Sequence, residues 1–174
     1  MIFLYILAGI IVLYLILSLI APKKYHVYRT IEVNKPLPEV FDFIKYVKNQ
    51  EHWSPWDHKD PDMKKEYIGE DGEVGFVSSW KGNKQVGEGE QEITGIYVND
   101  RMESQLRFFK PWKSESDAYI KVEELSSETT KVTWGFSGVN KAPANVFMLF
   151  FNMDKAVGKD FEDGLKALKK HLEE

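Results

Sequence analysis

The first 21 residues form an unbroken apolar run that carries no charged side chain and ends at Pro22. The hydrocarbon core of a bilayer is about 30 Å thick, and a helix of roughly 20 apolar residues crosses it. The run has that length. Its apolar residues would occupy every face of a helix, whereas a core helix of a globular domain usually has one apolar stripe. The sequence therefore predicts that residues 1–21 are a transmembrane anchor.

A cleaved secretory signal peptide is the main alternative for this segment. Such a peptide has basic residues before a shorter apolar core, and small residues at its cleavage site. Here no lysine or arginine precedes the run, and Leu19 stands where a small residue would be needed. The pattern favours an uncleaved anchor.

Three basic residues, Lys23, Lys24 and Arg29, follow the apolar run. Because positively charged flanks remain on the cytoplasmic side, the sequence predicts a single-pass membrane protein whose C-terminal domain is cytoplasmic. We expect residues 22–24 to be a short linker. Residues 25–174 have the size of one domain.

The composition limits the classes of partner and chemistry. The chain has 27 acidic and 23 basic residues, a net charge of −4, whereas a nucleic-acid-binding protein usually has a basic stripe. It has no cysteine, which excludes disulfides, thiolate metal sites and cysteine catalysis. We therefore expect no nucleic-acid partner and no cofactor. Aromatic residues make up 14% of the chain, enough to line both a core and a pocket.

After the anchor, the hydrophobic pattern has the period of a strand, then of short helices, then of strands again. The later strands are separated by turns as short as Asn99-Asp100. Strands joined in this way form an antiparallel meander, because parallel strands need long crossovers. The predicted elements are a strand at 25–33, a short helix at 36–47, a loop with at most one further short helix at 49–62, six strands between 64 and 139, and a helix at 143–172.

The long C-terminal helix has apolar residues at spacings of three and four, and Asn152 and Asp154 are candidates to cap or kink it. A sheet with one apolar face must cover that face, and no other predicted element is long enough to do so. The sequence thus predicts an α+β helix-grip fold, with a curved antiparallel sheet wrapped on the long C-terminal helix. Two short helices follow the first strand, and a space remains beneath the long helix.

Several segments after the anchor resemble the polyketide cyclase/dehydrase branch of the START-like (Bet v 1-like, SRPBCC) superfamily. The resemblance extends over residues 25–172, and it implies a helix-grip domain with a cavity for a hydrophobic ligand. It supplies no catalytic motif that can be placed on this sequence. The segments that carry it are WSPW (53–56), MKK (63–65), YIG (67–69), WKGNK (80–84), VGEG (86–89) and MDKAVGKDFEDGLKALK (153–169).

The candidate cavity residues are the two tryptophans of the loop at 49–62 and the apolar residues expected on the inner surface. The loop tryptophans either gate the cavity or cap the core beneath the loop. Any of the other residues serves equally well in a packed core. The candidates are Trp53, Trp56, Phe76, Trp80, Leu106, Phe108, Ile120, Trp134, Phe136, Phe150, Met153, Val157 and Phe161.

Two groups of polar residues suggest chemistry, but their spacing favours a solvated surface. The group His52, Asp57, His58, Asp60 and Asp62 matches no metal-ligand spacing, and we expect no metal there. The alternating glutamates at 88, 90 and 92 share one sheet face. Three buried and unpaired carboxylates would be prohibitive, so that face is expected to be solvent-exposed. No Ser-His-Asp arrangement, phosphate loop or dinucleotide motif is visible.

The leading hypothesis is a membrane-anchored domain that binds a hydrophobic small molecule or lipid between its C-terminal helix and its sheet. One alternative is a polyketide cyclase/dehydrase-type enzyme, which would need an acid or base inside the cavity. The other is a membrane-stationed interaction module with a filled core and no ligand. A cavity in the structure would separate the first two hypotheses from the third.

Overall fold

The computed structural model describes the backbone of residues 1–174 and every side chain except that of Ala144. One long apolar helix precedes an antiparallel sheet, and a long helix follows the sheet. In chain order the elements are α1 (Ile2–Ile20), β1 (Lys24–Val33), α2 (Leu37–Ile44), a first 3-10 helix (Val47–His52), α3 (Pro55–Lys59), β2 (Lys64–Ile68), β3 (Val77–Lys81), β4 (Glu88–Tyr97), β5 (Arg101–Lys110), β6 (Ser114–Ser126), β7 (Thr129–Val139), a second 3-10 helix (Ala144–Leu149) and α4 (Met153–Glu173).

The seven strands form one sheet in the order β1-β7-β6-β5-β4-β3-β2. Every neighbouring pair is antiparallel, as the short turns predict. Strand β1 pairs with β7, so the first and last strands of the domain are neighbours. Helix α4 packs on the inner face of this sheet, and the predicted α+β helix-grip fold is confirmed.

Local features of β4 and its turn also follow the sequence. The apolar pattern of the sequence changes phase between Ile93 and Ile96, which predicts a bulge at Gly95. The pairing of β4 with β5 shifts register between Ile93 and Gly95, and this confirms the bulge. In the turn that follows, Asn99 has a φ of 58°, a left-handed conformation that asparagine tolerates better than most residues.

The core lies between the sheet, α4 and the short helix α2. Pro38 lies in the first turn of α2. Backbone N–H groups of the first turn have no acceptor within the helix, so a proline there removes no intrahelical hydrogen bond. The apolar stripe of α2, formed by Val40, Phe41 and Ile44, is buried. From the other side, Leu165 and Leu168 of α4 are almost completely inaccessible to solvent. Burial of these side chains fixes α4 over the sheet.

The predicted helix over residues 143–172 is wrong in its N-terminal part, whereas the predicted cap at Asn152 is confirmed. The chain forms the second 3-10 helix there and begins a new helix at Met153. The Oδ1 of Asn152 accepts a hydrogen bond from the backbone N–H of Lys155 at 3.0 Å, and this N-cap fixes the start of α4. The break changes the phase of the apolar pattern, so the three phenylalanines before it are exposed.

The described hydrogen bonds between α1 and the side chains or backbone of the domain come from the last two turns of α1. The Tyr14 hydroxyl donates to the carbonyl of Pro143 at 3.2 Å, and the Ser18 Oγ donates to Oδ1 of Asn145 at 2.9 Å. The Nδ2 of Asn145 donates in return to the Ser18 carbonyl at 2.8 Å. Among the described residues, α1 is the one helix long and apolar enough to cross a membrane, a criterion that a signal sequence also meets.

Candidate functional site

A cavity of about 270 Å³ lies between α4 and the inner face of the sheet. Alternation along the strands places every second side chain on this face. The strands supply most of the wall, α4 supplies two apolar residues, and the chain around α3 supplies one edge. The lining residues are Val47, Gln50, Ser54, Trp56, Asp57, Met63, Lys65, Tyr67, Ser78, Trp80, Gln85, Val86, Gln91, Met102, Ser104, Leu106, Phe108, Ala118, Tyr119, Ile120, Trp134, Phe136, Val157 and Phe161.

The structure brings most of the candidate residues of the sequence to this cavity. The candidates on its wall are Trp56, Trp80, Leu106, Phe108, Ile120, Trp134, Phe136, Val157 and Phe161. Four candidates lie elsewhere. Trp53 and Phe76 are each 1% exposed and are part of the packed core, and Met153 lies partly buried at its border. Phe150 is 84% exposed, because it precedes the break at the start of α4.

Stacked aromatic rings form the wall beneath α4. The rings of Trp134 and Phe161 lie 4.4 Å apart and nearly parallel. Trp53 meets Trp134 edge-on at 4.7 Å, and Trp56 does the same at 5.4 Å. Such pairs contribute about 0.5–1.5 kcal/mol each beyond the burial of their surface. These contacts hold the rings of the wall in place. Of the two loop tryptophans, Trp56 faces the cavity, whereas Trp53 packs against Trp134 from the side away from the cavity.

Two glycines allow α4 to lie close to the sheet. A Cβ at Gly164 would stand 2.8 Å from the Trp134 ring and 3.0 Å from Pro55. At Gly158 a Cβ would collide with the guanidinium of Arg29, which binds Asp154 of α4. The Arg29 side chain is flexible at its end, so it is the close approach at Gly164 that limits how near α4 lies to the sheet and thus the depth of the cavity.

One edge of the cavity is polar. Lys65 of β2 forms ion pairs with Asp57 of α3 and, at 3.1 Å, with Glu51. The Tyr67 hydroxyl donates to Glu51 at 2.6 Å. Burial and this hydrogen bond raise the pKa of Tyr67, while the same bond lowers the pKa of Glu51. Tyr67 is therefore a protonated donor and Glu51 a charged acceptor at neutral pH.

Lys65 and Tyr67 were not among the site residues predicted from the sequence. Their alternate positions in β2 place them on one face of the strand. This alternation was a signal in the sequence that the two side chains lie on the same surface. Their ionic partners come from a segment that precedes β2, and spacing alone does not pair the two segments. Asp57, which the sequence suggested only in connection with a metal, is one of these partners.

The other polar candidates make surface contacts. The ring of His52 stacks on that of His171 at 5.0 Å, and Asp60 accepts a hydrogen bond from the backbone N–H of Asn83 at 2.6 Å. Glu90 and Glu92 bind the guanidinium of Arg107 on a half-exposed face. These contacts place both glutamates on the face opposite the cavity wall.

Solved structures with this architecture show what the chain resembles. Norcoclaurine synthase from Thalictrum flavum, in complex with dopamine and hydroxybenzaldehyde, is 11% identical over 90% of this chain and 91% of that chain, with a TM-score of 0.64. Ara h 8.0201 is 13% identical over 86% and 97% of the two chains, with a TM-score of 0.60. The Aha1 protein from Colwellia psychrerythraea is 13% identical over 85% and 96%, with a TM-score of 0.59.

No family model and no curated protein matches the sequence. The narrower resemblance to polyketide cyclases and dehydrases therefore stays a prediction. The structural likenesses, at these low identities, concern the fold and not the activity. By its sheet order, its short helices and its long C-terminal helix, the chain has the Bet v 1-like, or SRPBCC, helix-grip fold.

Proposed function

We propose that this chain is a membrane-anchored binding protein whose domain holds a small hydrophobic molecule in the cavity beneath α4. The cavity itself is the observation that carries the proposal. A Bet v 1-like domain of this size has enough apolar side chains to fill its interior, yet here aromatic and aliphatic residues surround about 270 Å³ of open space. An interaction module with a filled core, the third hypothesis, does not account for that space.

The size and lining of the cavity indicate the class of ligand. Its volume of about 270 Å³ lies just below the roughly 300–1,000 Å³ that small-molecule sites occupy, so a single ring system or one short chain fits better than a two-chain phospholipid. At the polar edge, Lys65 is already paired with Asp57 and Glu51. Because one lysine faces two carboxylates, the edge offers hydrogen bonds but no free positive charge, which disfavours a ligand with an anionic end.

The structural neighbours add a precedent for this class of ligand. Norcoclaurine synthase was solved with dopamine and hydroxybenzaldehyde bound, and each of these molecules is a single aromatic ring with small substituents. The stacked wall of Trp134 and Phe161 gives this chain an aromatic surface against which a ring would pack. Native mass spectrometry of the purified full chain would identify a molecule that copurifies with it.

The substitution Val157→Trp is expected to reduce ligand affinity at least about tenfold. Val157 lines the cavity from α4, and an indole there would occupy space that the ligand needs, at a cost above about 1.4 kcal/mol. The measurement is a titration with an apolar fluorescent probe, followed by quenching of tryptophan emission.

The matched control for this substitution is Val98→Trp. Val98 is 76% exposed at the turn between β4 and β5, so the same change there should leave probe affinity unaltered. Circular dichroism of both variants verifies that they are folded. Equal binding by the two variants would refute the assignment of the cavity as the ligand site.

An enzyme of the cyclase or dehydratase type is the second candidate, and the polar edge of the cavity favours it. Asp57, Lys65 and Tyr67 all line the cavity, so proton donors and acceptors stand beside the proposed ligand. Chemical conversion of the copurified molecule, blocked by Lys65→Met in a variant that still binds it, would establish catalysis. Binding without conversion would leave the carrier function.

We further propose that α1 anchors the protein in a membrane and that residues 25–174 form a cytoplasmic domain. The exposed apolar surface of α1 and the lysines that follow it support this arrangement. Protease added to the outside of intact cells should leave such a domain whole, and its cleavage there would reverse the orientation.

A chain that lacks residues 1–23 is expected to be soluble and folded, whereas the full chain should sediment with membranes. The reason is that the core cluster of the described residues contains no side chain of α1, and the hydrogen bonds of α1 to the domain come from its last two turns. Sedimentation and a single cooperative unfolding transition are the measurements. An aggregated truncated chain would contradict the domain boundary, and a soluble full chain would contradict the anchor.

A further inference from the structure

Two exposed aromatic clusters lie at the end of the domain to which α1 is attached. In the segment before α4, Phe147 is 67%, Phe150 84% and Phe151 47% exposed. In the β5–β6 hairpin, Phe109 is 44% and Trp112 66% exposed. We call these five residues the aromatic end. Soluble surfaces rarely present so many large apolar side chains together, and such groups mark interaction sites.

The strand register shows that the hairpin and α1 lie at the same end of the sheet. Lys24, the first residue of β1, pairs with Val139, the last residue of β7. Strand β6 runs antiparallel to β7 and therefore begins at this end. The pairing of β5 with β6 finishes there, at Phe108 with Ser114, and the hairpin loop extends beyond that pair.

The contacts with α1 fix how deep the second 3-10 helix lies in the bilayer that α1 is proposed to cross. Pro143 is bound by Tyr14, and Asn145 by Ser18. Tyr14 precedes Ala21 by about 10 Å along the helix axis at 1.5 Å per residue. The polar interface on each side of a hydrocarbon core is roughly 5–8 Å thick. At about 10 Å the Tyr14 contact lies deeper than the interface, so the second 3-10 helix extends from the interface to the edge of the hydrocarbon core beside the last two turns of α1.

We propose that the aromatic end inserts into the lipid interface of the bilayer that holds α1, and that the ligand enters the cavity from there. This inference rests on the proposed anchoring by α1. Exposed phenylalanine and tryptophan side chains gain free energy on moving from water into an interface. Exposed lysines at the same end suit anionic headgroups. They are Lys23, Lys24, Lys113 and Lys141.

The cavity extends toward this same end. Phe108, which lines the cavity, belongs to the last residue pair of β5 with β6 at this end. Val157, on the opposite wall, lies in the first two turns of α4, just after the exposed phenylalanines. An apolar ligand dissolved in the bilayer would thus reach the cavity without crossing bulk water, which otherwise opposes its transfer.

The test uses the absence of cysteine from the chain, which permits single labels on the full protein. Phe150→Cys and, as a control, Val98→Cys each receive an environment-sensitive fluorophore after reconstitution into vesicles of phosphatidylcholine and phosphatidylglycerol. The label at position 150 should emit at shorter wavelength than that at 98. Spin-labelled lipids should quench it, and aqueous iodide should quench it several-fold less than the control.

Equal iodide quenching at both positions would overturn the inference. Protection from iodide without quenching by spin-labelled lipids would also overturn it, in favour of a protein that covers the aromatic end. Both results are distinct from a failure of the anchor, in which the full chain would not float with the vesicles.

A second experiment uses the variant Phe147→Ser/Phe150→Ser/Phe151→Ser. This variant should slow the transfer of the probe from vesicles to the cavity, while its equilibrium affinity for the probe in detergent is unchanged.

Discussion

Replacement of Trp134 by alanine is expected to lower the free energy of unfolding by about 3–5 kcal/mol. Its ring stacks on Phe161 and receives the edges of Trp53 and Trp56, so the change removes the centre of the aromatic wall. The neighbouring rings are held by α4 and α3 and have little freedom to collapse into the void. Thermal unfolding of the detergent-solubilised full chain, followed by near-ultraviolet circular dichroism, is the measurement.

The matched control for this prediction is Trp112→Ala. Trp112 is 66% exposed in the β5–β6 hairpin, and the loss of an exposed side chain usually changes stability by less than about 0.5 kcal/mol. If the two variants unfold at similar temperatures, the aromatic wall does not stabilise the domain to the expected extent. Contacts other than those of the aromatic wall would then have to keep the cavity open.

The fold was predictable because its signals are local. Each strand from β2 to β7 is bounded by turns or short loops in the sequence, and such a meander has one simple antiparallel order. The bulge near Gly95 was visible as a change of phase within a single strand. The inner face followed from the same alternation, and this is why strand residues such as Trp80 and Phe108 were correctly placed on one surface.

The details that the sequence left open depend on contacts between distant segments. The polar edge pairs Lys65 with Asp57 and Glu51, which only the fold brings together. Likewise, Asn145 binds Ser18 across 127 positions in the sequence. Ser18 is the one small hydroxyl residue in an otherwise apolar helix, so it was a possible signal for a polar partner, but nothing in the sequence names that partner.

Phe150 illustrates a different kind of failure. Its spacing fits the apolar stripe of the C-terminal helix, and although Asn152 was a candidate to cap or kink that helix, the apolar period alone continues across it. The N-cap at Asn152 interrupts it, and the stripe before the cap becomes an exposed surface. A residue assigned to the cavity by its period is therefore the most exposed member of the aromatic end.

The depth of the cavity depends on Gly164, and Gly164→Leu is expected to destabilise the domain by about 2 kcal/mol. A leucine gains about 1 kcal/mol of helix propensity over glycine. Against this, its Cβ alone would stand 2.8 Å from the ring of Trp134 and 3.0 Å from Pro55. Overpacking a buried contact of this kind costs about 3 kcal/mol, so the steric term exceeds the gain.

A leucine introduced at an open position of α4 is the control for the steric effect. Ala156 is exposed, so Ala156→Leu should change the unfolding temperature little, since it meets no opposing side chain. If Gly164→Leu were as stable as the unmodified chain, the helix would have room to rise from the sheet, and the cavity would be wider and more adaptable than the packing of Trp134 implies. If the variant is destabilised and its probe affinity also changes, the close approach at Gly164 sets both the stability of the helix-grip and the space available to the ligand.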